Sequence, residues 1–577
     1  MKALRKCACV AVQLVVTTLL LFQQCPVQAI ALGVERGSDY VEIPASEEDA
    51  GAENDSSEAP SNDGNSNEAA PASPEKDEAA SGADSVVGAD NAIQNTQSDD
   101  DATNSGDATP TSVSDEELVW NRLGTLEWSK DANKNVILRP ADGAESASYE
   151  GEIRASELFG SGVKSFYSEG TISLKGITFS NCSFLEAVRF DNIALSGNSA
   201  SRMFEKCGNL ESLYFGSICT SNVADLSYMF YGCKSLKSKD VSAFDTSFVT
   251  TMKSMFHGCS GLRELNLSSF ITSKTTDMSS MFEGCSSLLT VDLSSFDTSS
   301  VVDMGWMFGG CSQIHYLDLS SFNTSAVEGM WGMFAGCSEL RSLNLTAFDT
   351  SSVTTMDSMF SGCGVGSLDV SHFDTSSVTS MNSMFEGTPL HSLDLSTFDT
   401  SSVTDMGSMF KDCGYLESID LSSFDTSSVT NMKRMFQWCR VKDLDLSSFN
   451  TSSVKSMESM FSSCLNLKSL KLAMFTTTSV DTMRTMFYDC RNLEYLDISS
   501  FDTSGINGRD SMDYLFEKCN SLTSVKLGVS CRENVRKQLP ALYHDSFNIS
   551  WKNSMGKSIV DLPDTFADTF HAKAKLT

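Results

Sequence analysis

A Met-Phe pair recurs along this chain, its phenylalanine standing at Phe204, Phe230, Phe256, Phe282, Phe308, Phe334, Phe360, Phe385, Phe410, Phe436, Phe461 and Phe487, a period of 25 or 26 residues. Leu515-Phe516 continues the series as a variant, and the stretch Phe179 to Phe190 aligns with the same motif. A fixed period in this range restricts the chain to a stacked-repeat architecture, in which each unit packs on its neighbours. One unit could not fold alone. Ordering its backbone costs about 1–2 kcal/mol per residue, while burying a Phe, Leu or Met side chain returns about 1.5–3 kcal/mol. Stacking closes that gap because neighbouring units share one core and pair their strands.

Inside a unit the spacing of the apolar residues changes. In "HYLDLSS", Leu317 and Leu319 alternate with Asp318 and Ser320, the two-residue period of a strand with one buried face. In "SAVEGMWGMFAGC", Val327, Met330, Met333, Phe334 and Cys337 fall three, four or seven apart, which predicts one face of a short helix. Gly336 is then the expected left-handed residue at the helix end. The expected fold class is an α/β solenoid, leucine-rich-repeat-like, of about 14 turns. Each turn of 25–26 residues is expected to hold a short strand and a short helix, with a parallel sheet on one face.

The flanking segments differ in composition. Lys2, Arg5 and Lys6 precede an apolar run from Ala8 to Phe22 and small residues at "VQAIA", the pattern of a secretory signal peptide, expected over residues 1–29. Between Gly37 and Leu118 there are 22 Asp and Glu against the single Lys76, with Tyr40 as the one aromatic residue. Such a stretch buries too little apolar surface to offset its ordering entropy, so residues 30–118 are expected to form an acidic disordered stalk or linker. A β-rich N-terminal cap is expected over 119–178, the solenoid over 179–530 and a C-terminal cap over 531–577. The net charge of -33 argues against nucleic acid as a partner, because phosphate binding depends on Lys and Arg. No segment after the leader approaches the roughly 20 apolar residues that span a bilayer. "LPDTF", Leu562 to Phe566, departs from a cell-wall sorting signal in its final residue, and no covalent wall attachment is expected.

The unit "SLDLSTFDTSSVTDMGSMFKDC", Ser392 to Cys413, with its near copies from about Phe179 to Leu527, resembles the BspA-like leucine-rich-repeat surface proteins, a family of secreted microbial proteins. The stretch "GTLEWSKDANKNVILRPADG", Gly124 to Gly143, looks like the small β-rich segment that often precedes such repeats. The resemblance implies a leucine-rich-repeat-type solenoid that is secreted or held at the cell surface. It also implies adhesion to proteins or glycans of a host or of other microbes.

Four rows of residues are candidates for function. The position three after each phenylalanine is Cys at Cys182 and on through Cys519, with Thr388 as the exception. Buried free thiols are the expectation; disulfides and metal binding are the alternatives. The outward strand position holds Asp240, Asp292, Asp318, Asp369, Asp394, Asp420, Asp445 and Asp497. Like charges abreast on neighbouring strands are unfavourable, so these groups must carry raised pKa values, stay hydrated, or gather cations or a basic ligand. A second row, Asp245, Asp297, Asp349, Asp374, Asp399, Asp425 and Asp502 with Asn323 and Asn450, precedes Thr-Ser and is expected to shape the corner. Trp306 and Trp331, off the buried stripe on adjacent turns, form either inter-turn packing or an aromatic binding platform.

No cofactor is required; calcium is the ion that the first Asp row would attract. The six histidines, His257, His315, His372, His391, His544 and His571, are scattered. No serine sits in a nucleophile elbow, so no enzyme is expected. The functional expectation is an exported, adhesin-like binding protein. The alternative is a self-associating structural or matrix protein linked by calcium.

Overall fold

The computed structural model describes residues 118–576, apart from 507, 509, 529, 531–542, 545–546 and 554–567. The expected signal peptide, nearly all of the acidic stalk and the "LPDTF" stretch lie outside the described residues.

The N-terminal part is a sheet of seven strands: β1 (Asn121–Leu123), β2 (Leu126–Lys130), β3 (Asn135–Pro140), β4 (Ser146–Arg154), β5 (Ser165–Thr178), β6 (Ala187–Leu195) and β7 (Ser212–Cys219). Strands β1, β2 and β3 pair antiparallel, and from β3 onward the order β3-β5-β6-β7 is parallel, with β4 alongside β5. The parallel run is where the solenoid begins. Its phenylalanines stack from Phe179 through Phe334 to Phe516 in one continuous column, ring centroids 5.4–6.0 Å apart and planes within 16°. Such offset stacks add to the area that each ring buries. With the N-terminal coil the stack has about 15 turns. Beyond Cys219 the strands shorten to two to four residues, as in Glu264–Asn266 beside Thr290–Val291 and Tyr316–Leu317 beside Ser342–Leu343. At the far end Ser524–Leu527 pairs antiparallel with Asp568–Leu576, which pairs in turn with Phe547–Asn553.

The short helix expected in every turn is absent, and the solenoid is a β-solenoid. Among the described residues the only α-helix is Ala155–Leu158, which precedes the stack. The segment Met304 to Cys311 shows what replaces it. Alternate N–H groups, those of Met304, Trp306, Phe308 and Gly310, donate to Gly329, Trp331, Met333 and Ala335 of the next coil at 2.6–3.0 Å. The N–H groups between them, of Met307, Gly309 and Cys311, donate three residues back to Met304, Trp306 and Phe308. Overlapping turns of this kind bury every third or fourth residue, so the apolar spacing matches that of a helix. What forbids the helix is positive φ twice per coil, at Trp306 (57°) and Gly310 (70°) and at the matching positions elsewhere. Gly336 (φ 69°) is accordingly the third residue of a tight turn closed by Cys337 N–H on Phe334, not a helix cap.

A column of buried threonines ties the coils together at the corner. The hydroxyl of Thr324 is fully buried; it donates to the Asp349 carbonyl and accepts the Asp349 N–H, both at 2.8 Å. Thr298 makes the same pair of bonds to Asn323. The corner therefore meets the backbone's hydrogen-bonding demand without water.

Candidate binding surface

The first Asp row lies on the outward side of the short strands, and most of its members are exposed. Asp369, Asp394, Asp420 and Asp445 stand on consecutive coils. The side chain of Asp240 lies outside the described residues. Each described member binds its own chain: the N–H of the serine two residues on donates to Oδ1 in Asp292, Asp318, Asp369, Asp394, Asp420, Asp445 and Asp497 at 2.9–3.1 Å. Of the three alternatives open for this row, raised pKa values do not apply to the members with a resolved shift. The serine hydroxyl and then its N–H hold Asp292, Asp318 and Asp369 below the ordinary carboxylate value, and at Asp394 and Asp420 the N–H is the larger cause. Asp445 is lowered to about 2, first by Lys471 and then by Ser447. At Asp497 desolvation pushes upward, and the Ser499 hydroxyl and Lys526 together outweigh it. The Lys471 ammonium is 2.6 Å from Asp445 and that of Lys526 is 2.9 Å from Asp497. At these two positions a lysine of the following coil supplies the cation.

The second Asp row is an asparagine-aspartate turn in every coil where it occurs. Asp297 Oδ1 accepts the Ser299 N–H at 3.1 Å and its hydroxyl at 2.6 Å, and Asn323 does the same for Ser325 at 3.1 and 2.8 Å. The oxygen is what the corner uses, which is why Asn substitutes for Asp.

The cysteines of the row, from Cys182 to Cys519 with Thr388 interrupting it, are free and buried, while Cys219, outside the row, is partly exposed. Cys337 Sγ donates to the Phe308 carbonyl of the preceding coil at 3.1 Å, and Cys311 to Phe282 likewise. Burial pushes the Cys182 thiol up to about 11 and the Cys285 thiol up to about 12. Thiols held protonated in this way are inert.

Trp306 and Trp331 are partly exposed on the turn segments of adjacent coils. The rings lie against glycine backbone: a β-carbon on Gly332 would stand 2.5 Å from Cδ2 of Trp306, and one on Gly329 would stand 2.1 Å from Cζ3 of Trp331. No contact among the described residues joins this pair to the first Asp row, which sits in a different segment of the coil.

Two groupings escaped the sequence reading. His257 stacks on Tyr231 of the preceding coil, centroids 4.7 Å apart, and its Nδ1 is 3.0 Å from Glu283 of the next. The spacing of 26 residues between Tyr231, His257 and Glu283 carried the signal, but only if every exposed column is read as carefully as the buried ones. The other grouping is the column containing Asp277 and Asp303, where successive coils bridge as parallel backbone. Desolvation raises the Asp303 pKa, a bond from Gly305 N–H opposes it, and the neighbouring Asp277 charge adds to the rise.

No curated protein matches the chain. Among solved structures it is similar to a leucine-rich repeat protein from Bacteroides ovatus, with 16% identity over 66% of this chain and 94% of that one and a TM-score of 0.30. A leucine-rich cell surface protein from Faecalibacterium prausnitzii shares 12% identity over 74% of this chain and 98% of its own, TM-score 0.24. A leucine-rich repeat protein from Eubacterium ventriosum shares 13% over 69% and 94%, TM-score 0.28. A family described as "Mycoplasma protein of unknown function, DUF285" matches residues 198–315, 265–368, 364–471 and 455–573. These overlapping matches cover most of the coil stack, and the chain belongs to that family.

Proposed function

We propose that the protein is exported and works at the cell surface or beyond it as a binding protein of BspA-like type, an acidic stalk carrying a rigid solenoid that contacts extracellular proteins or glycans. One observation carries this reading: the buried columns repeat from coil to coil while the exposed columns change. The residue two before the inward strand position is Arg263, Leu289, His315, Arg341, Gly366, His391, Glu417, Lys442, Lys468 and Glu494 in successive coils, His315 partly exposed and the others exposed, whereas the buried phenylalanine never varies from Phe256 to Phe487. A surface that only stacked on copies of itself would gain nothing from that variety. A surface that discriminates among partners needs it. Rigid backing also lowers the ordering cost of binding.

The test is binding of the full chain, monomeric by light scattering, to a panel of matrix proteins, glycans and epithelial cells, with and without a calcium chelator. Saturable binding that survives chelation supports the reading. Absence of binding together with calcium-driven growth in particle size would replace it with a self-associating matrix protein. The first Asp row would then be the place to mutate, since Asp292, Asp318, Asp369, Asp394 and Asp420 are exposed on the strands.

A further inference from the structure

Aromatic side chains on the turn segments of this solenoid follow a rule that two of them break. Tyr228 lies under Arg202, Trp438 under Lys411, Tyr514 under Arg484 and Tyr488 under Lys518, with the cation 4.3–5.9 Å from the ring centroid. Tyr231 is covered by His257. On these turn segments the chain thus covers its other non-core rings with a neighbouring cationic or imidazole side chain, mostly through the ring-face attraction that Lys and Arg feel. Among the described residues, no such group covers Trp306 or Trp331.

The surroundings of the pair explain the omission. The turn segments from Asp277 to Cys285, Asp303 to Cys311, Gly329 to Cys337 and Thr355 to Cys363 contain Asp277, Glu283, Asp303 and Asp357 but not one Lys or Arg. In the same four segments the floor is cleared of side chains. Gly309, Gly329 and Gly332 are the only glycines in their columns, and Gly305 shares its column with Gly407 alone. Trp331 lies over Gly305 of the coil before and Gly329 of its own; Trp306 lies over Gly309 of its own coil and Gly332 of the coil after. Each indole thus reaches glycine backbone of the other's coil as well as of its own, and both side chains stay partly exposed. Asp303 Oδ1 accepts the Gly305 N–H at 2.8 Å, and Asp303 bridges Gly329, so its carboxylate belongs to the backbone on which Trp331 lies.

We propose that Trp306 and Trp331 form a docking site for a cationic side chain, an arginine or lysine of a partner polypeptide, with Asp303 and its neighbouring carboxylates as the complementary rim. The partner supplies from outside the cation that the protein supplies to the other rings of these turn segments from within. This rests on the binding reading above and narrows it to one place and one chemistry. Charge complementarity favours a basic polypeptide over a neutral glycan, because the four segments around the pair carry Asp277, Glu283, Asp303 and Asp357, with Lys253 of the preceding coil, 3.8 Å from Asp277, as the one lysine or arginine paired to them among the described residues. Trp is also the ring to which a cation is drawn most strongly, and the attraction grows when the cation is desolvated.

The test uses the full chain labelled with 5-fluorotryptophan, with the Trp306 and Trp331 resonances assigned through W306F and W331F. Titration with a short neutral-flanked peptide bearing two arginines is compared with the same peptide bearing citrulline, and with a neutral oligosaccharide. The expected result is that the arginine peptide alone shifts both resonances, and that Asp303→Asn weakens the response about threefold or more. Equal shifts with citrulline, shifts with the oligosaccharide instead, or shifts confined to other tryptophans would overturn the proposal. So would a flat response from both resonances in protein whose other tryptophan signals show it folded. If the same preparation binds the matrix and cell panel, that failure is specific to this site; if it binds nothing, the wider binding reading fails as well.

Discussion

Thr324 illustrates how much one side chain contributes when a stack repeats it. Its hydroxyl is the sole link between its own corner and the backbone N–H and carbonyl of Asp349. Thr324→Val keeps the shape but removes the buried hydroxyl that serves both backbone groups, so a loss of about 1–3 kcal/mol is expected, read as a lower midpoint in urea. Charge works differently at Asp303. Its pKa is raised in the fold by desolvation and the Asp277 charge, so the ionised form is the disfavoured one. For a raised carboxylate, the stability it contributes is present below the unfolded value and is lost as pH rises through the folded value. Asp303→Asn should therefore raise the melting temperature at pH 7, and the gain should vanish below about pH 4, where the native aspartate is protonated in both states. A gain that persisted unchanged in acid would show that packing, not charge, is the cause. The surface row runs the opposite way. Asp292, Asp318 and Asp445 are lowered, so their contribution is present above the unfolded value and is lost as pH falls from there through the lowered folded values.

At the scale of the coil, the strand was legible in the sequence and the turn segment was not. Leu317 and Leu319 alternate with polar residues, and nothing but a strand has that period. Val327, Met330, Met333, Phe334 and Cys337 satisfy a helix and a run of three-residue turns equally, because both return to the core every three or four residues. The discriminating signal was present in the columns where Gly310 and Gly336 alternate with Asp412 and Ser463, small or turn-forming residues that accept positive φ. A helix needs one such residue at its end, not a second one four residues earlier at Trp306 or Ser408. The binding rows were legible as positions but not as chemistry: neither the Asp-to-Ser bonds nor the glycine floor beneath the tryptophans is visible until the coils are stacked. The thiol row gives a direct check on the stack. With 18 cysteines in the chain, and those from Cys182 to Cys519 buried except the partly exposed Cys219, native protein should react rapidly with a thiol reagent only at Cys219, Cys7, Cys9, Cys25 and Cys531 at most. Denaturation should release the remainder together. Slow stepwise exposure without denaturant would mean that coils open one at a time.

For the solenoid as a whole, the hydrogen bonds that would close a helix within one coil have been moved between coils. Stability therefore resides in the interfaces, and it should scale with the number of interfaces, not with the content of any one coil. This makes the register more important than any single residue. Removing residues 403–428 joins Ser402 to Val429, and because Val429 occupies the position that Val403 held, every column closes again, with Phe385 stacking where Phe410 did, now on Phe436. The shortened protein should fold, keep its circular dichroism spectrum, and unfold cooperatively at a modestly lower denaturant concentration. Removing half as many residues from the same place would set a strand against a turn segment. The alternate N–H groups of Met381 and Ser383, which donate to Asp405 and Gly407, would then face the wrong carbonyls, and the phenylalanine column would break. That variant should be recovered only as aggregate or as a chain digested to fragments on either side of the break. If instead the full-coil deletion failed to fold while the half-coil deletion succeeded, the coils would not be interchangeable layers, and the stacking assigned to this chain would be wrong.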